Sequence, residues 1–90
     1  FRPPYGKIKR SQVNLLNPQT KIILWDVLPG DFSPSNNVEK IISNTLEAVE
    51  SGSIIVLHDN AICGNKMLQA LPIIIDKLKE KKYIFSAITD

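Results

Sequence analysis

Three short apolar runs, separated by segments of helical periodicity, constrain this chain more than any other feature. KIILWDV (Lys21 to Val27), SIIVL (Ser53 to Leu57) and YIFSAI (Tyr83 to Ile88) are rich in β-branched and aromatic residues and nearly free of charge. Runs of this kind suit strands covered on both faces, as in parallel sheets. Between the first two, Val38, Ile41, Ile42, Leu46 and Val49 recur at helical spacing and predict an amphipathic helix. Asn36, with Glu39 three residues on, would begin it in a capping-box-like arrangement, and Gly52 would end it. A second long helix is predicted over Asn65 to Lys81. Leu68, Leu71, Ile75 and Leu78 form its apolar face, with a kink or a start near Pro72. A short helix around Ser11 to Leu16 precedes the first run and stops at Asn17-Pro18.

Buried-type strands alternating with helices give an α/β class built from parallel βα units. Three such strands leave two open sheet edges, and a closed (β/α) barrel takes about 200 residues or more. The chain has 90. The expectation is therefore about three parallel strands alternating with helices, forming the C-terminal part of a (β/α) barrel. Residues 1–90 would be one segment of a single domain whose N-terminal part is absent.

Composition narrows the function classes. Apolar residues make up 43% and charged residues 22%, the balance of a globular protein. A net charge of +2 is too small to imply nucleic acid. Lys77, Lys79, Lys81 and Lys82 gather at a predicted helix C-terminus, where the helix dipole favours positive charge. The one cysteine, Cys63, cannot form an internal disulfide and reads as a packing or surface thiol. No run of about 20 apolar residues is present to form a membrane segment.

In parallel βα folds, reactive groups gather just beyond the C-terminal ends of strands. Asp31 falls in the loop after the first run, LPGDFSPS, and His58 and Asp59 directly follow the second. Arg2 and Tyr5 would follow a strand outside this sequence. The topology thus brings these groups to one face. His58 is the only histidine and follows four apolar residues. A neighbouring carboxylate would favour its protonated form, as a general acid requires, and Asp31 is the candidate. The ordinary reading of His58 is a strand-end residue satisfied by backbone. Trp25, within a run, has core packing as its default role. Phe32, in a loop, could stack on a sugar ring or cover the core. Arg2 could clamp a carboxylate in fork geometry or be an ordinary surface arginine. It sits in FRPPYG, whose two prolines and glycine set the chain direction.

FRPPYG, WDVLPGDFS and IIVLHD, in that order, resemble the third, fourth and fifth motifs of the NodB-type polysaccharide deacetylases, carbohydrate esterase family 4. ALPIIIDKLKEKKY and the run after it resemble that family's C-terminal unit. The resemblance covers nearly the whole chain. It implies a distorted (β/α) barrel of the NodB type and metal-dependent removal of acetyl groups from N-acetylglucosamine polymers such as chitin or peptidoglycan, or from O-acetylated xylan. The implied partner is an acetylated polysaccharide or oligosaccharide. A divalent metal, commonly zinc, would polarise the acetyl carbonyl and activate water.

Carried over residue by residue, the resemblance makes His58 the general acid and Asp31 the carboxylate that tunes it. Arg2 would orient a catalytic aspartate. The backbone N–H of Tyr5 would be the oxyanion donor. Val56, Phe32 and Trp25 would contact substrate, with Val56 near the acetyl methyl. Phe32 stands where the family usually has tryptophan, which keeps an aromatic wall and loses the indole N–H. The first and second motifs, which carry the base and an Asp-His-His metal site, are absent, so the metal would be bound by residues upstream of this chain. These 90 residues alone would be inactive. The parent protein is expected at the cell envelope or outside the cell. Alternatives are a hydrolase of another amide or O-acetyl ester on the same scaffold, a non-catalytic carbohydrate-binding relative, and a stand-alone α/β domain.

Overall fold

The computed structural model describes residues 1–88. A single 3₁₀ turn at Pro4–Gly6 is followed by three helices, α1 at Arg10–Leu16, α2 at Val38–Ala48 and α3 at Gly64–Glu80. All three predicted helices are present, with boundaries set by side chains that periodicity does not reveal. The cap of α2 is Asn37, not Asn36: its side-chain oxygen accepts the Lys40 N–H at 2.8 Å. The Asn36 amide is committed elsewhere, donating to the Gly30 carbonyl at 3.0 Å. Gly52 does not end α2. The helix stops at Ala48, Val49 is already extended, and Gly52 (φ 88°) serves a turn between Glu50 and Ser53. α3 runs unbroken through Pro72. Pro72 is exposed, so the missing N–H falls on the solvent side, where water can satisfy the freed carbonyl.

The buried stripe of α3 consists of Met67, Ala70, Ile74 and Leu78. This is rotated from the predicted stripe: Leu71 and Ile75 are half-buried and Leu68 is 65% exposed. Ile41 of α2 closes against Ala70, Ile74 and Leu78, and Val38, Ile42, Leu46, Val49, Ile55, Leu57 and Tyr83 surround this core. Thr45, fully buried on the same face of α2, keeps its hydroxyl satisfied by donating to the Ile41 carbonyl at 2.9 Å. A buried hydroxyl without such a bond would be costly.

The apolar runs do not form the three strands expected. Among the described residues the regular pairing is one parallel bridge, Val27 to Ile55. Val27 donates to the Ile54 carbonyl at 3.2 Å and accepts from the Val56 N–H at 3.0 Å. Phe1 makes the equivalent exchange with Lys21 and Ile23. Segments 1–2, 21–27 and 53–57 therefore lie side by side in parallel sense, with too few successive bonds for ladders. YIFSAI forms no bridge among the described residues. Tyr83 reaches the helical core, while Ile84 is 91% exposed. β-branched composition favours an extended chain, but a strand also needs a neighbouring backbone to bond.

α3 ends in a tight hydrogen-bonded wrap. Tyr83 donates to the Leu78 carbonyl, Lys82 donates to that of Lys79, and Lys82 adopts φ 67°. That conformation is costly for a residue with a Cβ and natural for glycine. Lys82→Gly is expected to raise stability by roughly 0.5–1 kcal/mol, read as a higher urea midpoint. A lowered midpoint would show that the Lys82 stem contributes packing that outweighs the strain.

Candidate active site

Asp31 is fully buried although it lies in a loop. Three side chains hold that loop in place. Asn44 of α2 donates to the Pro29 carbonyl at 2.9 Å, and Asn36 to that of Gly30 at 3.0 Å. Lys66 of α3 donates to the carbonyls of Ser33 and Asn36 at 2.8 and 2.9 Å. Gly30 (φ 86°) makes the bend, and a Cβ there would stand 2.6 Å from the Asn36 amide nitrogen. None of these holding residues shows a motif. An asparagine and a lysine on helices, and an asparagine just before one, are ordinary surface choices until the loop lies over them.

The carboxylate of Asp31 faces His58. One oxygen accepts the His58 backbone N–H, and the other meets Nδ1 of the imidazole at 2.9 Å. A single carboxylate thus fixes both the backbone and the ring of the residue that ends the SIIVL run. The His58 side chain is 38% exposed. With Nδ1 tied to Asp31, Nε2 is the nitrogen left to meet a substrate. Phe32 stands edge-on to the ring, its centroid 5.5 Å away at 71°, and is itself about half exposed. Asp59 is exposed and takes no part in the pair.

A second group forms around FRPPYG. After the two prolines, Tyr5 sits in the left-handed region at φ 56°, which is uncommon for an aromatic residue. Gly6 follows at φ 68°. A Cβ on Gly6 would lie 3.0 Å from the ring of Trp25, so turn and indole meet closely. The bonds that close the turn are donated by Gly6 and Lys7, which leaves the Tyr5 N–H uncommitted to them. The Tyr5 side chain is 93% exposed. The Arg2 guanidinium donates to the backbone carbonyls of Ile23 and Leu24 at 3.2 and 3.5 Å and lies 5.9 Å from the Trp25 ring centroid. Among the described residues no carboxylate offers it fork geometry.

The structure therefore joins Asp31, Phe32 and His58, and separately joins Arg2, Trp25 and the Tyr5–Gly6 turn. No hydrogen bond or ring contact links the two groups among the described residues. Val56 is half-buried and its N–H bonds Val27. Asp26 gained no role from its sequence position, yet it ties two runs together. Its carboxylate accepts from the Ile54 N–H and from the Ser53 hydroxyl at 2.9 Å, and these two bonds hold its pKa below the usual carboxylate value. Among the described residues there is no group of three His, Cys, Asp or Glu side chains able to hold a metal. The same residues contain no helix long and apolar enough to cross a membrane.

No family model matches the chain. Two curated proteins align with its whole length. One is a peptidoglycan-N-acetylglucosamine deacetylase of Bacillus cereus, 29% identical, of which the chain covers 43%. The other is a bifunctional xylanase/deacetylase of Pseudobutyrivibrio xylanivorans, 28% identical, of which it covers 14%. The chain thus spans less than half the length of the curated relatives it matches. Among solved structures, it resembles the family 4 carbohydrate esterase domain of a multidomain xylanase from the hindgut metagenome of Trinervitermes trinervoides. That likeness has a TM-score of 0.82 at 34% identity, over 96% of this chain and 40% of that one. It also resembles a family 4 pseudoenzyme from Bacillus anthracis, with a TM-score of 0.81 at 25% identity over 92% of this chain and 28% of that one. The relatives, the solved domains and the order of the three motifs agree: the chain is similar to part of the domain of carbohydrate esterase family 4, the polysaccharide deacetylases.

Proposed function

We propose that the chain works within a longer protein as the C-terminal segment of a barrel-like catalytic domain that removes acetyl groups from N-acetylated amino-sugar polymers at or outside the cell envelope. The observation that carries this reading is the buried Asp31 holding a half-exposed His58 by two hydrogen bonds. Such a pair presents Nε2 in one orientation, and a positioned imidazole is suited to protonating a leaving amine. Phe32 and Val56 would flank the acetylated sugar, with Trp25 backing the Tyr5 turn. The Tyr5 N–H would face the developing oxyanion, and Arg2 would orient a catalytic aspartate elsewhere in the protein. The described residues do not themselves form a metal site. The divalent metal of the reaction, zinc by family resemblance, would be held by residues outside these 90.

The likeness to a pseudoenzyme favours a second reading, in which the scaffold binds acetylated carbohydrate without turning it over. The two readings separate in one experiment. Acetate release from N-acetylglucosamine oligomers is measured for the full-length protein with zinc and after chelation. The expected result is release that stops on chelation and returns with metal. Binding of the oligomers without release would favour the second reading. Release of acetate from xylan alone would move the substrate to an O-acetyl ester.

A further inference from the structure

We infer that Lys66 is a positioning residue for the Asp31–His58 pair. It would act by clamping the loop that carries Asp31 to the helix that follows His58. This rests on the reading of His58 as the proton donor.

Asp31 belongs to the stretch from Pro29 to Asn36, and His58 leads through a short loop into α3 at Gly64. The two residues come from separate segments, so their mutual placement depends on what joins the segments. Asn44 and Asn36 hold the start of the Asp31 loop, at Pro29 and Gly30, and neither bond reaches α3. Lys66 lies on the first turn of α3, eight positions after His58 in the chain. Its ammonium bonds two carbonyls on the far side of Asp31, at Ser33 and Asn36. Among the described residues it is thus the side-chain bond from α3 to the Asp31 loop.

Lys66 is half-buried, and among the described residues its charge meets carbonyl oxygens and no carboxylate. One ammonium with three donors on a long stem can bridge two carbonyls three residues apart. A methionine keeps the stem and loses the bridge. Without the bridge the loop could shift relative to α3, and a displacement on the order of 1 Å at a reacting group costs up to about 100-fold in rate.

The test uses the full-length protein, with acetate release from N-acetylglucosamine oligomers and the imidazole ¹⁵N resonances of His58 as separate readouts. In Lys66→Met, kcat is expected to fall about 10- to 100-fold with KM within about twofold, and the His58 nitrogen resonances are expected to move. Lys66→Arg, which keeps several donors, is expected to retain kcat within about threefold. Unchanged kcat in Lys66→Met, or an equal loss in both variants, overturns the proposal. Should Lys66→Met fail to fold, Lys66→Gln, whose shorter, uncharged side chain does not supply the bridging ammonium, takes its place under the same criteria. If the wild type releases no acetate, the deacetylase reading fails by itself. The nitrogen resonances then decide on Lys66: movement supports the clamp and its absence overturns it.

Discussion

Replacing His58 by alanine in the full-length protein is expected to lower turnover by about 10²- to 10⁴-fold while KM changes by no more than a few-fold. The split follows from the geometry. Nδ1 is held by Asp31 at 2.9 Å, so on the proposed reading Nε2 would be the nitrogen that gives a proton to a departing amine. Its loss would remove an interaction made in the transition state and leave the proposed binding surface in place. Phe32, edge-on to the ring, would remain to meet substrate. Asp59→Ala is the matched control, because Asp59 adjoins His58 in sequence and is exposed. Its turnover should stay close to wild type. Equal turnover in wild type and His58→Ala would remove the general-acid assignment. A rise in KM with kcat unchanged would turn His58 into a binding residue.

The second large effect concerns the helical core. Leu78→Ala is expected to cost about 2–5 kcal/mol, measured by urea unfolding. Leu78 is 1% exposed and packs with Ile41, Ala70 and Ile74, so truncation opens a cavity where α2 meets α3. Leu68→Ala is the comparison. Leu68 is 65% exposed, and its loss should change stability by no more than about 0.5 kcal/mol. Both leucines are placed on one apolar face by simple spacing, and the structure separates them. Similar losses for the two would contradict the observed rotation of α3.

The same contrast runs through the whole chain. Periodicity located α2 and α3 because an amphipathic stripe leaves its mark in local sequence. It misjudged the stripe of α3, because a 17-residue helix carries more apolar positions than one face needs, and the partner helix selects among them. Asn36 and Asn37 offer the same local signal for a cap. The choice fell to Asn37 because Gly30, six positions earlier than Asn36, claims the Asn36 amide. The apolar runs announced extended chain, but the chain cannot announce which backbone will lie beside them. Among the described residues the Val27–Ile55 bridge and the Phe1 exchange with Lys21 and Ile23 formed, without a longer ladder.

The candidate site divides in the same way. By itself the sequence determined that Asp31, Phe32 and His58 lie beyond the ends of two apolar runs, that FRPPYG is a stiff turn, and which family the motifs resemble. These are properties of residue order, and local stereochemistry is enough to read them. Only the tertiary structure decided that Asp31 is buried and bonds both the backbone and the ring of His58. It also decided that Arg2 turns to backbone carbonyls beside Trp25, and that Lys66 reaches across to the Asp31 loop. Those outcomes rest on hydrogen bonds between residues about 20 to 33 positions apart. A polar side chain far along the chain finds its acceptor only after the helices have packed and excluded the water that would otherwise satisfy it.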